Sequence, residues 1–297
     1  MSSRFVLFGH PVGHSMSPTI HQAAYRELGL SHRYELFDVA GEAELARAMD
    51  LLRVGEIAGA NVTVPWKREA FQLADERHES ALGVGAANVL VREQGGRLIA
   101  HNTDVPALAE EIQRYSATPR RLVVIGSGGA ALGAARAASL LSAESVTVTA
   151  RRWLDSEPEA SWPHAQGFRA LGAELVPWPN ASGDDGEGAF AVACRRADVI
   201  VQATSAGMSG AEPGAGVAAI VPWSRLPASV LAYDLVYSPP DTDFLRAARA
   251  YGLVRSHGLG MLVGQAALAI ELWLGVKPPR EPLYAAAEAA LLARRGG

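Results

Sequence analysis

A chain of 297 residues with 49% apolar and 20% charged side chains is long enough for one large domain or two ordinary ones. Its net charge of −4, without a long basic run, argues against nucleic acid or an anionic membrane surface as a partner. The single cysteine, Cys194, excludes an intrachain disulfide and fits a reducing, cytoplasmic location, and the broken apolar run at the N-terminus is too short for a signal peptide or a membrane span.

The first third of the chain alternates apolar runs with segments of helical spacing. Strands are predicted over 4–9, 34–39 and 57–65, and helices over 19–30, 42–53 and 68–75. Two further strands, over 87–93 and 97–104, flank the turn "QGG" and predict a hairpin, before a helix over 105–115. This order predicts an α/β domain with helices on both faces of an open sheet.

The strand and helix pattern starts again at Arg120, which places a domain boundary between Asp104 and Arg120. Strands are predicted over 120–126, 145–152, 197–208 and 229–242, with helices after the first strand and over 243–252 and 261–275. Within the proline-rich stretch from Trp153 to Phe190, the run "NASGDDGEG" predicts an exposed, mobile loop. Its Asn180 fits a glycosylation sequon, but a cytoplasmic location makes that modification unexpected.

The second half carries a dinucleotide-binding fingerprint. The pattern Gly126-x-Gly128-x-x-Ala131 directly follows a strand and opens a helix. Glycines allow the backbone to approach a pyrophosphate, and the helix N-terminus offers free amides to that anion. A glycine-rich turn without a ligand is the alternative, and the strand–turn–helix context argues against it.

The end of the next strand predicts which dinucleotide is bound. NAD sites usually place Asp or Glu there, whereas this chain has Ala150, Arg151 and Arg152. Guanidinium groups bind a 2′-phosphate through charge-assisted hydrogen bonds, so NADP(H) is favoured over NAD(H). Two solvated arginines are the alternative interpretation, and Asp155 further along would work against the preference.

Polar side chains in the first half lie at predicted strand ends and loops. Ser15 and Ser17 are spaced so that both hydroxyls face one way, and Ser17 before Pro18 also fits a helix N-cap, whereas Ser15 has no such structural explanation. In "GANVTVPWK", strand alternation puts Asn61, Thr63, Pro65 and Lys67 on one face and Val62, Val64 and Trp66 on the other. The polar face is typical of a pocket wall.

Further polar groups are Asn88, at the start of one hairpin strand, and "HNTD", at the end of the other. Taken alone, Asp104 fits a helix cap and Lys67 a surface lysine. His10, His14 and His21 have no spacing typical of a rigid metal site, so no metal is predicted.

The chain resembles the shikimate dehydrogenase family, whose members reduce 3-dehydroshikimate to shikimate with NADPH. Eight blocks in the family's order carry the resemblance over nearly the whole chain: "GHPVGHSMSP", "GANVTVPWK", "GAAN", "HNTD", "GSGGAA", "ATSAGM", "YDLVYSPPDT" and "GLGMLVGQ". The resemblance implies an α/β substrate domain over 1–104, joined by returning helices over 259–297, a Rossmann-like NADP domain over 105–258, and a cleft between the domains.

The resemblance also implies roles for individual residues. The implied catalytic residues are Lys67 and Asp104. The implied substrate-binding residues are Ser15, Ser17, Thr63, Asn88, Tyr237 and Gln265. The implied NADP-binding residues are Gly126, Gly128, Gly129, Ala130, Arg151, Arg152, Thr204, Gly258 and Met261, with Tyr237 and Met261 lining the nicotinamide and substrate cleft. A small-molecule substrate, no nucleic acid or membrane partner, and a monomer or homodimer are expected.

Several positions depart from the family pattern and keep alternatives open. Ala100 and Ala107 replace glycines that usually flank the N-T-D block, Val89 follows Asn88 where threonine is common, and Ala150-Arg151-Arg152 replaces Asn-Arg-Thr. A paralogue acting on quinate or an aminated shikimate analogue is the nearest alternative. Folate-linked dehydrogenase chemistry and a non-enzymatic NADPH-binding module are more distant, because the paired serines, Lys67 and Asp104 are all present.

Overall fold

The computed structural model describes residues 2–153, 164–179 and 188–294. The chain divides into two compact units: the first comprises Met1–Ala107 and Leu262–Gly297, and the second comprises Leu108–Met261. The predicted loop "NASGDDGEG" and its sequon at Asn180 lie outside the described residues, apart from Gly188.

The strands and helices follow one another along both units. The strands are, in chain order, β1 Arg4–Gly9, β2 Arg33–Asp38, β3 Gly59–Val62, β4 Glu76–Arg77, β5 Val89–Arg92, β6 Leu98–His101, β7 Arg121–Ile125, β8 Ser145–Thr149, β9 Glu174–Val176, β10 Val199–Gln202, β11 Leu231–Asp234 and β12 Val254–His257. The α-helices are α1 Ser17–Glu27, α2 Glu42–Val54, α3 Lys67–Leu73, α4 Glu79–Leu82, α5 Asp104–Tyr115, α6 Gly129–Leu140, α7 Ala165–Ala170, α8 Ala189–Arg196, α9 Ala215–Ala219, α10 Asp243–Ala250, α11 Leu259–Leu274 and α12 Arg280–Ala293.

The first unit contains a mixed sheet with the strand order β2-β1-β3-β5-β6-β4. Strand β1 lies parallel to β2 and β3, and β5 is antiparallel to both β3 and β6. The hairpin predicted from the "QGG" turn is therefore confirmed. Helix α2 shows how the core is built: Leu45, Ala48, Met49 and Leu52 recur at helical spacing and are all buried.

Strand β3 ends at Val62, which makes the predicted alternation through Lys67 wrong. The backbone N–H of Trp66 donates to the carbonyl of Thr63 at 2.9 Å, so the chain turns here, and Lys67 begins α3. Val64 is 69% exposed, although alternation placed it on the same face as the buried Val62 and Trp66. An extended strand would have kept those three side chains together, and the turn separates them.

The physical reason for the turn lies in Trp66. Its indole enters the core of the first unit, and its Nε1 donates to the carbonyl of Val39 at 2.7 Å. Burying an indole while satisfying its one donor contributes more than a further pair of ladder hydrogen bonds. The local polar pattern of the segment could not reveal this distant contact.

The second unit has a fully parallel sheet with the order β12-β11-β10-β7-β8-β9. Counted from β7, this is the 3-2-1-4-5-6 order of dinucleotide-binding sheets, so the predicted Rossmann-like fold is confirmed. The order reverses between β7 and β10, and ligands of such sheets bind beyond the carboxyl ends of the strands at this point. The sequence pattern did not predict the edge strand β12, because this strand has no apolar run and its Val254 and Arg255 are exposed.

Two further findings concern the cysteine and the helices. Cys194 is fully buried in the core of the second unit. Within the described ranges, no helix combines the length and the apolar character that crossing a bilayer requires.

Candidate functional site

Lys67 and Asp104 form an ion pair in the first unit. Lys67 is the first residue of α3 and Asp104 the first of α5, and Nζ of the lysine lies 2.7 Å from Oδ2 of the aspartate. The two side chains are 34% and 23% exposed, so the pair remains accessible to a small molecule. A positioned ammonium with a carboxylate behind it can donate a proton or stabilise a developing oxyanion.

Asn88 holds Asp104 from the side away from Lys67. Its Nδ2 donates to Oδ1 of Asp104 at 2.9 Å and to Oγ1 of Thr103 at 2.9 Å. Its Oδ1 accepts the backbone N–H of Thr103 at 2.7 Å. Because Asn88 is buried and its amide engages the aspartate oxygen that does not face the lysine, it orients the carboxylate.

Asp104 is not occupied as a helix cap, which was one interpretation of the sequence. Oδ1 of Asn102 accepts the backbone N–H of Val105 at 3.2 Å in the first turn of α5. The side chain of Asn102 thus satisfies one of the unpaired amides at the start of α5. The Asp104 carboxylate is left to pair with Lys67.

The serine pair lies at the start of α1, where the capping arrangement differs from the one expected. Met16 is the N-cap residue and Ser17 is already helical, so the prediction that Ser17 caps the helix is wrong. Ser15, which had no structural explanation in the sequence, accepts the backbone N–H of Ser17 at 3.2 Å and donates its hydroxyl proton to Oγ of Ser17 at 3.1 Å. The two hydroxyls are therefore hydrogen-bonded to each other.

Tyr34 and Asn61 connect the serines to the Asn88 network, and neither residue was among the predicted site residues. The hydroxyl of Tyr34 donates to Oδ1 of Asn61 at 2.7 Å, and Nδ2 of Asn61 donates to the carbonyl of Asn88 at 3.1 Å. Burial raises the pKa of the Tyr34 phenol well above its ordinary value, and a hydrogen bond with Ser17 acts in the opposite direction. The polar face of "GANVT" was a signal for Asn61, whereas nothing local marks Tyr34.

Gln265 and Thr63 complete the predicted set in this unit. Helix α11 carries Gln265, whose Oε1 lies 3.5 Å from Nδ2 of Asn88 and whose carbonyl accepts the hydroxyl of Thr103 at 3.1 Å. The backbone N–H of Thr63 donates to the carbonyl of Phe8 at 2.8 Å, directly after β3, and its side chain is half-buried. The expected common strand face of Thr63 and Lys67 is absent, because β3 ends before Thr63.

Two of the three histidines considered as metal ligands, His10 and His21, have separate environments. His21 is buried with its ring stacked on Tyr34 at 3.9 Å between centroids, and burial lowers its pKa to about 3. Nδ1 of His10 instead lies 2.9 Å from Oδ2 of Asp38 near the surface. Among residues 2–153, 164–179 and 188–294, no three His, Cys, Asp or Glu side chains are grouped as metal ligands would be.

In the second unit, the glycine-rich turn before α6 leaves part of its backbone accessible. Gly126 has φ +139°, and a Cβ there would lie 2.9 Å from the carbonyl oxygen of Ala203, so only glycine fits. Gly128, Gly129 and Ala130 are exposed at the start of α6, and a Cβ on either glycine would meet no atom within 4 Å. No side chain caps this helix, which leaves its first amides free for an anion.

The remaining predicted cofactor residues lie at the ends of the parallel strands. Arg151 and Arg152 follow β8 by two and three residues, and both are exposed. Thr204 follows β10, where its Oγ1 accepts the N–H of Ala206 at 3.1 Å. Tyr237 follows β11, and Gly258 and Met261 follow β12, which matches the carboxyl edge at which such sheets bind ligands.

The sequence did not anticipate the partner of Arg151. Its guanidinium forms a two-pronged ion pair with Glu212, in which Nη1 lies 2.8 Å from Oε2, and Nη2 contacts Oε1. Glu212 lies in the loop after β10, sixty-one residues further along the chain. Local patterns give no indication of such a pair.

Comparison with known proteins gives consistent matches. Residues 7–90 match the family model described as the shikimate dehydrogenase substrate binding domain, and residues 258–288 match the one described as the shikimate 5′-dehydrogenase C-terminal domain. Shikimate dehydrogenase (NADP(+)) of Shouchella clausii is 34% identical over 288 residues, which cover 95% of this chain and 96% of that protein.

Solved structures show the same relationship. Shikimate 5-dehydrogenase of Thermus thermophilus, in complex with NADP(H) and shikimate, is 32% identical with a TM-score of 0.78, covering 97% of this chain and 99% of that one. Ligand-free 5-ketofructose reductase of a Gluconobacter species is 26% identical with a TM-score of 0.82, covering 98% and 99%. The motifs, the two folds and the full-length identity together establish that this chain belongs to the shikimate dehydrogenase family.

Proposed function

We propose that this protein catalyses the NADPH-dependent reduction of 3-dehydroshikimate to shikimate. The observation that carries the proposal is the Lys67–Asp104 pair, 2.7 Å apart and oriented by the buried Asn88. A ketone reduction requires one positioned proton donor at the oxygen, and this pair supplies it in a polar, accessible setting.

Lys67 acts on the oxygen of the substrate ketone. As the carbonyl carbon gains a hydride, negative charge develops on that oxygen, and the Lys67 ammonium stabilises it and transfers a proton. Asp104 keeps Nζ in place through its Oδ2, while Asn88 fixes the opposite carboxylate oxygen. The proton lost by Lys67 returns from solvent, to which its side chain is open.

The substrate class fits the short polar side chains around this pair. A hydroxylated ring acid carries a carboxylate and several hydroxyls, for which serine and threonine hydroxyls and glutamine amides are suitable partners. We assign that role to Ser15, Ser17, Thr63 and Gln265. Both amide hydrogens of Asn88 already have protein acceptors, so we assign Asn88 mainly the positioning of Asp104.

NADP(H) fits the residues of the second unit. The exposed turn of Gly128, Gly129 and Ala130 and the uncapped start of α6 suit the pyrophosphate, and Arg151 and Arg152 suit the 2′-phosphate. We further assign Thr204, Tyr237, Gly258 and Met261 to the nicotinamide-ribose part of the cofactor, with Tyr237 also contacting substrate. When bound, the nicotinamide supplies or accepts the hydride.

Steady-state oxidation of NADPH with 3-dehydroshikimate tests the proposal. The reverse reaction is measured beside it with shikimate and quinate, each with NADP⁺ and NAD⁺, and 5-ketofructose serves as a further carbonyl substrate. We expect kcat/KM to be highest for the shikimate pair with NADP(H). Faster turnover of quinate or 5-ketofructose would change the assigned substrate, and absence of turnover with every pair would overturn the enzymatic proposal.

A cytoplasmic location and a monomeric or homodimeric state belong to the same proposal.

A further inference from the structure

The ion pair between Arg151 and Glu212 lies at the position that decides between NADP and NAD in sheets of this order. Arg151 follows the end of β8, where the ribose 2′ substituent of a dinucleotide is recognised. A guanidinium binds phosphate and carboxylate with the same two-pronged geometry. In this chain, both Nη groups of Arg151 already contact the carboxylate of Glu212.

The backbone around Glu212 is ordered by its own hydrogen bonds. The carbonyl of Glu212 accepts the N–H of Gly207 at 2.8 Å, and the N–H of Ala211 donates to the carbonyl of Met208 at 2.9 Å. The N–H of Ser209 also reaches the carbonyl of Ser238 at 2.9 Å, which ties the loop to the segment after β11. The acidic side chain is thus held beside Arg151 by a closed loop.

The charges explain what this carboxylate does to a phosphate. Arg151 lowers the pKa of Glu212 through their hydrogen bond, so the carboxylate stays ionised at neutral pH. Arg151 and Arg152 together with Glu212 carry two positive charges and one negative charge, a net +1, and loss of the carboxylate would leave +2. A 2′-phosphate carries nearly two negative charges, whereas a 2′-hydroxyl carries none, so Glu212 disfavours only the phosphate.

We propose that Glu212 is a specificity-determining residue that competes with the 2′-phosphate for Arg151 and so moderates the preference for NADP(H) over NAD(H). The inference rests on the proposed function, because it takes Arg151 as part of the 2′-phosphate site. The pair is exposed on both sides, so a phosphate can displace the carboxylate rather than being excluded by it.

Binding of adenosine 2′,5′-bisphosphate and adenosine 5′-phosphate, measured by isothermal titration calorimetry, tests the competition without any turnover. Glu212→Gln keeps the shape of the side chain and removes its charge. The matched control is Glu144→Gln, because Glu144 also forms an exposed ion pair with an arginine. Nε and Nη2 of Arg120 both contact Oε1 of Glu144, and the two residues lie directly before β7 and β8, at the amino ends of these strands.

We expect Glu212→Gln to bind the bisphosphate about 3- to 10-fold more tightly, with the monophosphate within about twofold of wild type. The gain should shrink at about 0.5 M salt, because the competition is electrostatic. Glu144→Gln should behave as wild type. Unchanged or weaker bisphosphate binding in Glu212→Gln, while wild type binds it, would overturn this inference alone. A wild-type protein that binds neither probe would overturn the NADP site as well.

Discussion

Replacing Lys67 by methionine separates catalysis from stability. The chain has only two lysines, Lys67 and Lys277, and Lys277 is exposed just after α11. Methionine keeps most of the apolar stem and removes the ammonium, so Lys67→Met deletes the proposed proton donor with little change in packing. Lys277→Met applies the same chemical change at a position with no proposed role.

The structure sets different magnitudes for the two effects. The Lys67–Asp104 pair is partly exposed, and such pairs contribute about 0–1 kcal/mol to the free energy of unfolding. Oδ1 of Asp104 keeps its hydrogen bond from Asn88 in the variant, and water can reach the other oxygen. Removing a general acid instead costs about 10²- to 10⁴-fold in kcat, equivalent to about 3–5 kcal/mol of transition-state free energy.

The assay pairs steady-state reduction of 3-dehydroshikimate with urea unfolding of the same preparations. We expect Lys67→Met to lose at least about 10²-fold in kcat while its free energy of unfolding stays within about 1 kcal/mol of wild type. Lys277→Met should match wild type in both measurements. A Lys67→Met enzyme with near-normal kcat would refute the role of Lys67 as the general acid. A loss of kcat that only matches the fraction of unfolded protein would show that the lysine has a structural role instead.

Contacts elsewhere in the two units lead to three further predictions. Asn88→Ala should lower the free energy of unfolding, measured by urea titration, by about 1–3 kcal/mol, because the buried N–H of Thr103 loses its acceptor. An unchanged unfolding midpoint would contradict the hydrogen bonds assigned to Asn88. Gly126→Ala should lower the free energy of unfolding by about 1–3 kcal/mol, because φ at this residue is +139°. Gly128 lies in open space, so Gly128→Ala should weaken NADP⁺ binding with little loss of stability. Equal unfolding free energies for the two variants would contradict the turn geometry. Burial raises the pKa of Asp234 to about 7 in the folded protein, above its unfolded value near 3.9, so its contribution to stability is full below about pH 4 and is lost as the pH rises towards 7. Asp234→Asn should therefore flatten the fall in unfolding free energy between about pH 4 and 7, and a slope identical to that of wild type would refute the raised pKa.

The fold was largely predictable where a segment's own pattern decides its structure. Strands β1 and β7 are short apolar runs bounded by polar or glycine residues, and α2 has a single apolar face, so burial alone selects their conformations. The hairpin of β5 and β6 and the glycine-rich turn before α6 also depend on neighbouring residues only. Predictions failed at β3 and β12, where a distant contact of Trp66 and an exposed sheet edge override the local pattern.

The candidate site divides in the same way. Lys67, Asp104, Asn88 and Gln265 were identified from motifs, but their contacts join positions 37 and 177 residues apart along the chain. Tyr34 has no local signal, and its hydrogen bond to Asn61 connects it to the network.

The sequence by itself determined the α/β class, the restart of the pattern in the second half, the dinucleotide turn and the residue types able to reduce a ketone. These features follow from periodicity, glycine conformations and side-chain chemistry, all of which act over a few neighbouring residues. Only the tertiary structure decided that Asn88 binds one oxygen of Asp104 while Lys67 binds the other, that Ser15 supports the start of α1, and that Glu212 engages Arg151. Such contacts depend on how distant elements pack, because a hydrogen bond or ion pair forms only where the fold brings its two groups within about 3 Å.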